Sequence, residues 1–361
     1  MTYQPLMSRE QLFSRLPKIP FGEATEEKPI LLLTHIDLDG AVPEVILRHI
    51  TRYLKVKHCP NASMDRHIKE AILEHGNEYA FIIITDISCS KDTAALIDCS
   101  EYKNKVLLLD HHATADYLNE FSWACVYPFL FSDSFNIEAY SVEDRIKGHC
   151  SAAALLYNYI LYNQHLELGS HKSLNRLVHL TSCYDTWDWV NIFLEMSACR
   201  DLNTLCTLYG LQEFCKEMLN RCLNNQPIFS KVDTRILTLE ANRIADTIKR
   251  IAKTYLCGDI TIDNMNYSAV FCFSDMYPAD LLADMQERFP DKDLCILRTS
   301  RGISIRTTRA DLNVAEIAAK FDGGGHPQAS GISIAPKYNI AFLEQFLGAA
   351  INIDIPEEGA L

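Results

Sequence analysis

The 361-residue sequence lacks the marks of several protein classes. No cysteine stands three residues from another, so there is no CxxC ligand pair. The odd total of thirteen argues for reduced thiols packed as small core residues rather than a disulfide framework. No uninterrupted apolar run approaches the ~20 residues that cross a bilayer, so a membrane role is not expected. Positive charge is in deficit: 34 Lys and Arg face 47 Asp and Glu, a formal net charge of −13. That balance disfavours a broad basic face for long duplex nucleic acid, yet it leaves short anionic substrates open at a local cationic site. The opening MTYQPLMSREQLFSRLPKIP has no basic start, apolar centre or small-residue cleavage site, so the cytoplasm is the expected compartment.

The length exceeds that of one ordinary hydrophobic core and predicts two domains. From about Lys28, apolar runs alternate with helix-like segments, the pattern of an α/β domain built on a doubly wound, mainly parallel sheet. ILLLT, YAFIIIT and KVLLL read as buried strands. AVPEVILRHITRYL reads as a helix with Pro43 in its first turn, and TRYLKVKH as a solvated helix end. Residues 149–163 and 173–182 read as helices covering the sheet, and the chain stays helical and charged from about 195 to 255. After Cys257 come shorter strand candidates (DITIDNMNYSAVFCF, DLCILRT, GISIRTT), a helix-like DLNVAEIAAKF and then GGGHPQASG, which together suit a smaller α+β domain. The expected organisation is a first domain over 1–195, a helical connection over 196–255 and a second domain over 256–361.

Each strand candidate of the first domain runs out into acidic or imidazole groups: THIDLDG, TDIS and LDHHAT. In an open parallel sheet the loops at the carboxyl ends of the strands form the binding crevice, so these segments can converge. CYDTWDW adds Asp185, with Asp188 as an alternative that could cap a helix. THIDLDG by itself is equally an ordinary turn. Five carboxylates and up to three imidazoles in one crevice would repel or be desolvated without cations, so the set points to metal binding. The eight histidines outside these motifs and GGGHPQASG, including His49 and His67, are expected at the surface or in packing, with no second ligand cluster around them. Trp187 and Trp189 read as packing residues rather than base-stacking platforms.

The ordered set HIDLDG, TDIS, LDHHAT and YDTWD, followed by GGGHPQASG, resembles the DHH phosphoesterases with their DHHA1 domain, over about residues 28–190 and 256–335. The His-x-Asp-x-Asp spacing and the overall length are most similar to the branch that degrades very short RNAs. The resemblance implies a hydrolase using two divalent metal ions, manganese foremost, with zinc, iron and cobalt left open. It implies Asp86 as a bridging carboxylate, His35 and Asp37 on one metal, and Asp39, His111 and Asp185 on the other. Asp110 would support the site and His112 would lie by the phosphate. In the second domain it implies that Arg306 and His326, with Gly323, Gly324 and Gly325, hold a terminal phosphate across an interdomain cleft; Arg298 and Arg301 are weaker choices. Glycines admit φ > 0 and close backbone approach, and a guanidinium can pair two phosphate oxygens. The implied substrates are short oligoribonucleotides or linear dinucleotides, cleaved to mononucleotides. The alternatives are a 3′-phosphoadenosine 5′-phosphate phosphatase and a non-catalytic nucleotide-binding regulator. A homodimer is the one protein assembly suggested.

Overall fold

The computed structural model describes residues 6–60, 63–132, 148–164, 171–186, 188, 196–321 and 323–334. The chain divides into two compact units, 1–237 and 238–361. The expected α/β class is what it adopts, with a parallel sheet and helices in the first unit and a mixed sheet in the second.

The first unit carries helix α1 (Arg9–Phe13) and five strands: β1 (Ile30–Thr34), β2 (Leu54–His58), β3 (Phe81–Thr85), β4 (Val106–Asp110) and β5 (Ala124–Val126). They form an all-parallel sheet in the order β2-β1-β3-β4-β5. β1, β3 and β4 are buried at every residue, as continuous apolar strands must be when both sheet faces are covered. The two-residue period then sorts their side chains. Ile30, Leu32, Phe81, Ile83, Leu107 and Leu109 pack under α2 (Leu38–Ile50), α5 (Ala152–Gln164) and α6 (Lys172–Asp185), with α7 (Met196–Tyr209) and α8 (Leu211–Leu223) completing that layer. Leu31, Leu33, Ile82, Ile84, Val106 and Leu108 pack on the opposite face against α3 (Met64–Lys69) and α4 (Lys91–Cys99). Each such burial contributes about 2 kcal/mol.

Two sequence expectations fail here. LKVKH is an edge strand rather than a helix end: α2 stops at Ile50 because Thr51 turns extended, and the chain returns to pair with β1 from Ile30↔Leu54 to Thr34↔His58. Its exposed Lys55 fits a sheet edge, where a charge blunts further pairing. Pro43 is the sixth residue of α2, beyond its first turn, because Asp37 caps the helix earlier than the apolar pattern indicates.

Helix α9 (Lys231–Ile251) leads into the six-stranded sheet of the second unit. Its strands are β6 (Leu256–Ile262), β7 (Met265–Phe273), β8 (Leu294–Arg298), β9 (Gly302–Arg306), β10 (Gly324–His326) and β11 (Ala329–Ser333), in the order β10-β11-β9-β8-β7-β6. DITIDNMNYSAVFCF folds as the β6–β7 hairpin, because Asp263 and Asn264 both take positive φ (50° and 63°) in a two-residue turn. Helix α10 (Pro278–Arg288) crosses between the parallel pair β7 and β8, packing Leu281, Leu282 and Met285 on Val270, Cys272 and Leu297. Helix α11 (Val314–Ala319) covers the other face through Val314 and Ile317. No described helix of either unit is long and apolar enough to cross a membrane.

Candidate metal centre

The ligand-rich segments follow directly from the carboxyl ends of β1, β3 and β4. The Thr85 hydroxyl donates to Thr34 Oγ1 (2.9 Å), and the Thr34 hydroxyl donates to the Gly40 carbonyl (2.9 Å), tying two strand ends to the start of α2. Asp37 caps that helix: its Oδ1 accepts from the Gly40 N–H (3.0 Å) while its Oδ2 lies 2.7 Å from His35 Nδ1. This return of the chain needs glycine at position 40, where a Cβ would sit 2.2 Å from the His35 carbonyl oxygen.

Asp39 faces inward, 1% exposed, and both its oxygens accept from the start of α5: Ala152 N–H at 2.8 Å and Ala153 N–H at 3.1 Å. Asp86 has φ 59°, a left-handed conformation that Asp tolerates better than most residues. Its N–H donates to the Leu109 carbonyl (3.1 Å), and its carboxylate stands between two groups. One oxygen lies 3.8 Å from His35 Nδ1 and the other 3.5 Å from His111 Nε2. His111 Nε2 is also 3.1 Å from Asp185 Oδ2 and 3.9 Å from Asp39 Oδ2. Asp110 Oδ1 accepts from the His111 N–H (2.7 Å) and pairs with His112 Nδ1 (2.7 Å). Asp188 is engaged elsewhere, its Oδ2 accepting from the His149 N–H (2.6 Å) and its Oδ1 lying 2.9 Å from His149 Nδ1.

The structure therefore brings His35, Asp37, Asp39, Asp86, Asp110, His111, His112 and Asp185 to one end of the sheet. Potential ligand atoms cluster as His35/Asp37/Asp86, as Asp39/His111/Asp185, and as Asp86/Asp110/His111/His112. Among the described residues, buried Asp86 Oδ2, Asp110 Oδ2, His111 Nε2 and Asp185 Oδ2 have no hydrogen-bond partner. Leaving such atoms unpaired costs several kcal/mol for each charged group unless something compensates, and a carboxylate-rich set with imidazoles suits divalent cations.

Charge in the centre is correspondingly strained. Burial, then the charges of Asp39, Asp37, Asp185 and Asp110, pushes the Asp86 carboxyl well up; burial does the same to Asp185, with Asp39 and Asp37 adding to it. Burial takes Asp39 to about 7 against the pull of its Ser151, Ala153 and Ala152 hydrogen bonds. Burial would raise Asp37 too, but its bond to His35 and the His35 charge bring it down to about 2. The hydrogen bond to Asp110 lifts His112 to about 9 despite burial, whereas burial beside His112 lowers His111 to about 4.

A pH dependence follows. Groups raised in the folded state hold extra protons, so their stabilisation is full at low pH and fades as pH climbs: through about 7 for Asp39 and about 9 for His112. His111 and Asp37 act oppositely, but their windows close below 6.5 and 3.8. A divalent cation bound here would compensate the same carboxylates. The difference in Tm between manganese-loaded and EDTA-treated protein should accordingly widen by roughly 3 °C or more from pH 7 to pH 9, read by scanning fluorimetry. A constant difference would contradict this electrostatic account.

In the second unit, Arg306 is half-buried on β9. Its NH1 donates to the Ile305 carbonyl (3.2 Å), burial lowers its pKa, and no ion pair to it is found among the described residues. Arg306 pairs with Ala329, and Ala329 with His326, so Arg306 and His326 lie on one cross-strand row. Gly324 and Gly325 belong to edge strand β10 and Gly323 precedes it. Gly325 has φ 141°, and at Gly323 a Cβ would meet the Gly331 carbonyl oxygen at 2.3 Å. Arg298 ends β8 and Arg301 lies exposed in the following turn. The His326 side chain, Trp187 and Trp189 lie outside the described residues. Sequence reasoning missed the α5 N–H groups that hold Asp39; the small residues of SAAALL, which let the helix start press on a carboxylate, are the only signal of them.

No family model matches the chain. It is 26% identical to oligoribonuclease NrnB of Bacillus subtilis strain 168 over 335 residues, covering 90% of this chain and 76% of that protein. The chain resembles the DHH phosphoesterases of the oligoribonuclease branch. Solved structures similar to it include RecJ of Thermus thermophilus in complex with Mn2+ (14% identity, TM-score 0.48, covering 99% of this chain and 58% of that one). Another is the pGpG-specific phosphodiesterase PggH of Vibrio cholerae (14% identity, TM-score 0.43, covering 89% and 97%).

Proposed function

We propose that the protein is a metal-dependent phosphodiesterase that hydrolyses short oligoribonucleotides or linear dinucleotides to mononucleotides. The observation that carries this reading is Asp86, whose two oxygens each face a separate imidazole-and-carboxylate set. His35 and Asp37 would hold one divalent cation and Asp39, His111 and Asp185 the other, with Asp86 shared between them; manganese suits this donor set. When bound, such a pair supplies Lewis acidity toward the phosphate and a nucleophilic water at neutral pH, without a Ser or Cys nucleophile.

The chain's own groups do the rest. The α5 N–H groups fix the Asp39 carboxylate, and the Asp37 cap fixes His35. Asp110 holds a proton on His112 Nδ1, so a cationic ring, 54% exposed, can meet a phosphate oxygen. In the second unit, Arg306 and the 323–326 segment would bind the terminal phosphate. The similarity to an oligoribonuclease supports the short-RNA substrate.

The test is a panel of 5′-phosphorylated RNA and DNA from two to twenty nucleotides, together with 3′-phosphoadenosine 5′-phosphate, in manganese. Preference for the shortest RNAs with mononucleotide products is expected. Activity confined to the monoester, or dinucleotide binding with no hydrolysis over hours, would replace this reading. In the same assay Arg306→Ala should raise KM for dinucleotides about tenfold or more with kcat little changed, the loss of one charge-assisted phosphate contact. Unaltered KM would remove Arg306 from the grip.

A further inference from the structure

A second constellation sits apart from the residues of the metal centre. Glu44 in α2, His58 at the end of β2 and Cys215 in α8 converge, with one ligand atom from each lying within 4.8 Å of the others. Glu44 Oε2 is 3.7 Å from His58 Nε2, close to the roughly 3.5 Å edge of a tetrahedron built on zinc-ligand bonds. His58 Nε2 is buried and has no hydrogen-bond partner among the described residues. Cys215 is 2% exposed; its thiol lies 3.5 Å from the Ala41 carbonyl and also interacts with the Glu44 carboxylate. Glu44 Oε1 is held by Arg48 Nε at 2.6 Å, which leaves Oε2 toward His58. A carboxylate, an imidazole and a thiol drawn from three separate elements are more than packing requires.

We propose that Glu44, His58 and Cys215 form a third, separate metal site, for a borderline-soft divalent cation of the zinc class. The donor set selects against the occupant of the first centre: a thiolate favours zinc or cobalt over manganese, while carboxylate-rich sets favour manganese. Three protein ligands leave a fourth position for water. On coordination Cys215 gives up its proton to solvent, so each ion bound releases one proton. The site would staple α8 and α2 to the edge strand. Through the Thr34↔His58 register it also lies one residue from His35. Its role is therefore structural support of the β1 end, independent of which phosphodiester the protein cleaves.

The experiment uses the full chain, stripped with chelator and titrated with Co2+. Sulfur-to-cobalt charge transfer in the near ultraviolet does not report the Asp86 clusters, which contain no cysteine, and Cys215→Ser separates this site from the other thiols. Absorption that saturates at about one equivalent, is lost in Cys215→Ser and is weakened about tenfold or more in apparent affinity in His58→Gln is expected for this three-ligand site. Circular dichroism establishes that each variant is folded. Should Cys215→Ser fail to fold, the shift of the band's Co2+ dependence in His58→Gln decides alone. No charge-transfer band at excess Co2+, or a band indifferent to both substitutions, would overturn the proposal. Neither outcome depends on the oligonucleotide assay, so the two readings fail separately.

Discussion

Asp86→Asn should lower turnover of dinucleotide substrates by about 10³-fold or more, about 4 kcal/mol of lost transition-state stabilisation. Asp86 stands between both candidate ligand sets, so on the proposed two-cation reading one substitution weakens two sites together. The same change should leave the metal-free protein at least as stable as the parent. Burial and four neighbouring carboxylates push the Asp86 carboxyl up, and a neutral amide escapes that repulsion. Asparagine also accepts the φ of 59° that most residues resist. The expected pair of results is loss of activity even in saturating manganese with an unchanged or raised Tm in EDTA. Near-normal turnover would remove Asp86 from the shared position; a large fall in EDTA Tm would mean that its carboxylate serves the fold.

Gly40→Ala tests the scaffold instead. The added Cβ would lie 2.2 Å from the His35 carbonyl oxygen and 2.5 Å from its carbon, both backbone atoms that no rotamer change can clear. Gly40 is also held at its N–H by Asp37 and at its carbonyl by Thr34, so the segment has little room to yield. A destabilisation of about 3 kcal/mol or more in urea unfolding is expected, the upper end of overpacking, with collapse of metal affinity in whatever remains folded. Parental stability and activity in Gly40→Ala would show that the β1–α2 turn relaxes freely.

The three central strands were legible because continuous apolar runs are what a doubly covered parallel strand demands, and β1, β3 and β4 have little else. That the candidate ligands at their ends cluster was legible for a related reason. A run of leucines and isoleucines that ends in THIDLDG or LDHHAT changes character abruptly, and topology puts those ends together. β2 was hidden because an edge strand alternates lysine with apolar residues and resembles the tail of the preceding helix. β5 is three residues long and leaves too little pattern. The choice between Asp185 and Asp188 could not be made from spacing. It depends on which carboxylate the helix end turns toward His111 and which meets His149. Glu44, His58 and Cys215 were out of reach altogether: they share no motif, and only the packing of α8 against α2 makes them neighbours.

The anchoring of Asp39 by the start of α5 sets an order of events during synthesis. Asp39 is held by N–H groups 113 and 114 residues further along, and Asp185 follows later still. A nascent chain that has emerged through Val126 carries every strand of the first sheet but only part of its ligand set. His35, Asp37 and Asp86 can meet by then, whereas the second set cannot close until the Ala152–Gln164 and Lys172–Asp185 helices have left the ribosome and docked. On the proposed two-cation reading, loading should therefore be sequential, with the His35 side able to capture a cation while translation is still under way and the Asp185 side filled only after these helices fold.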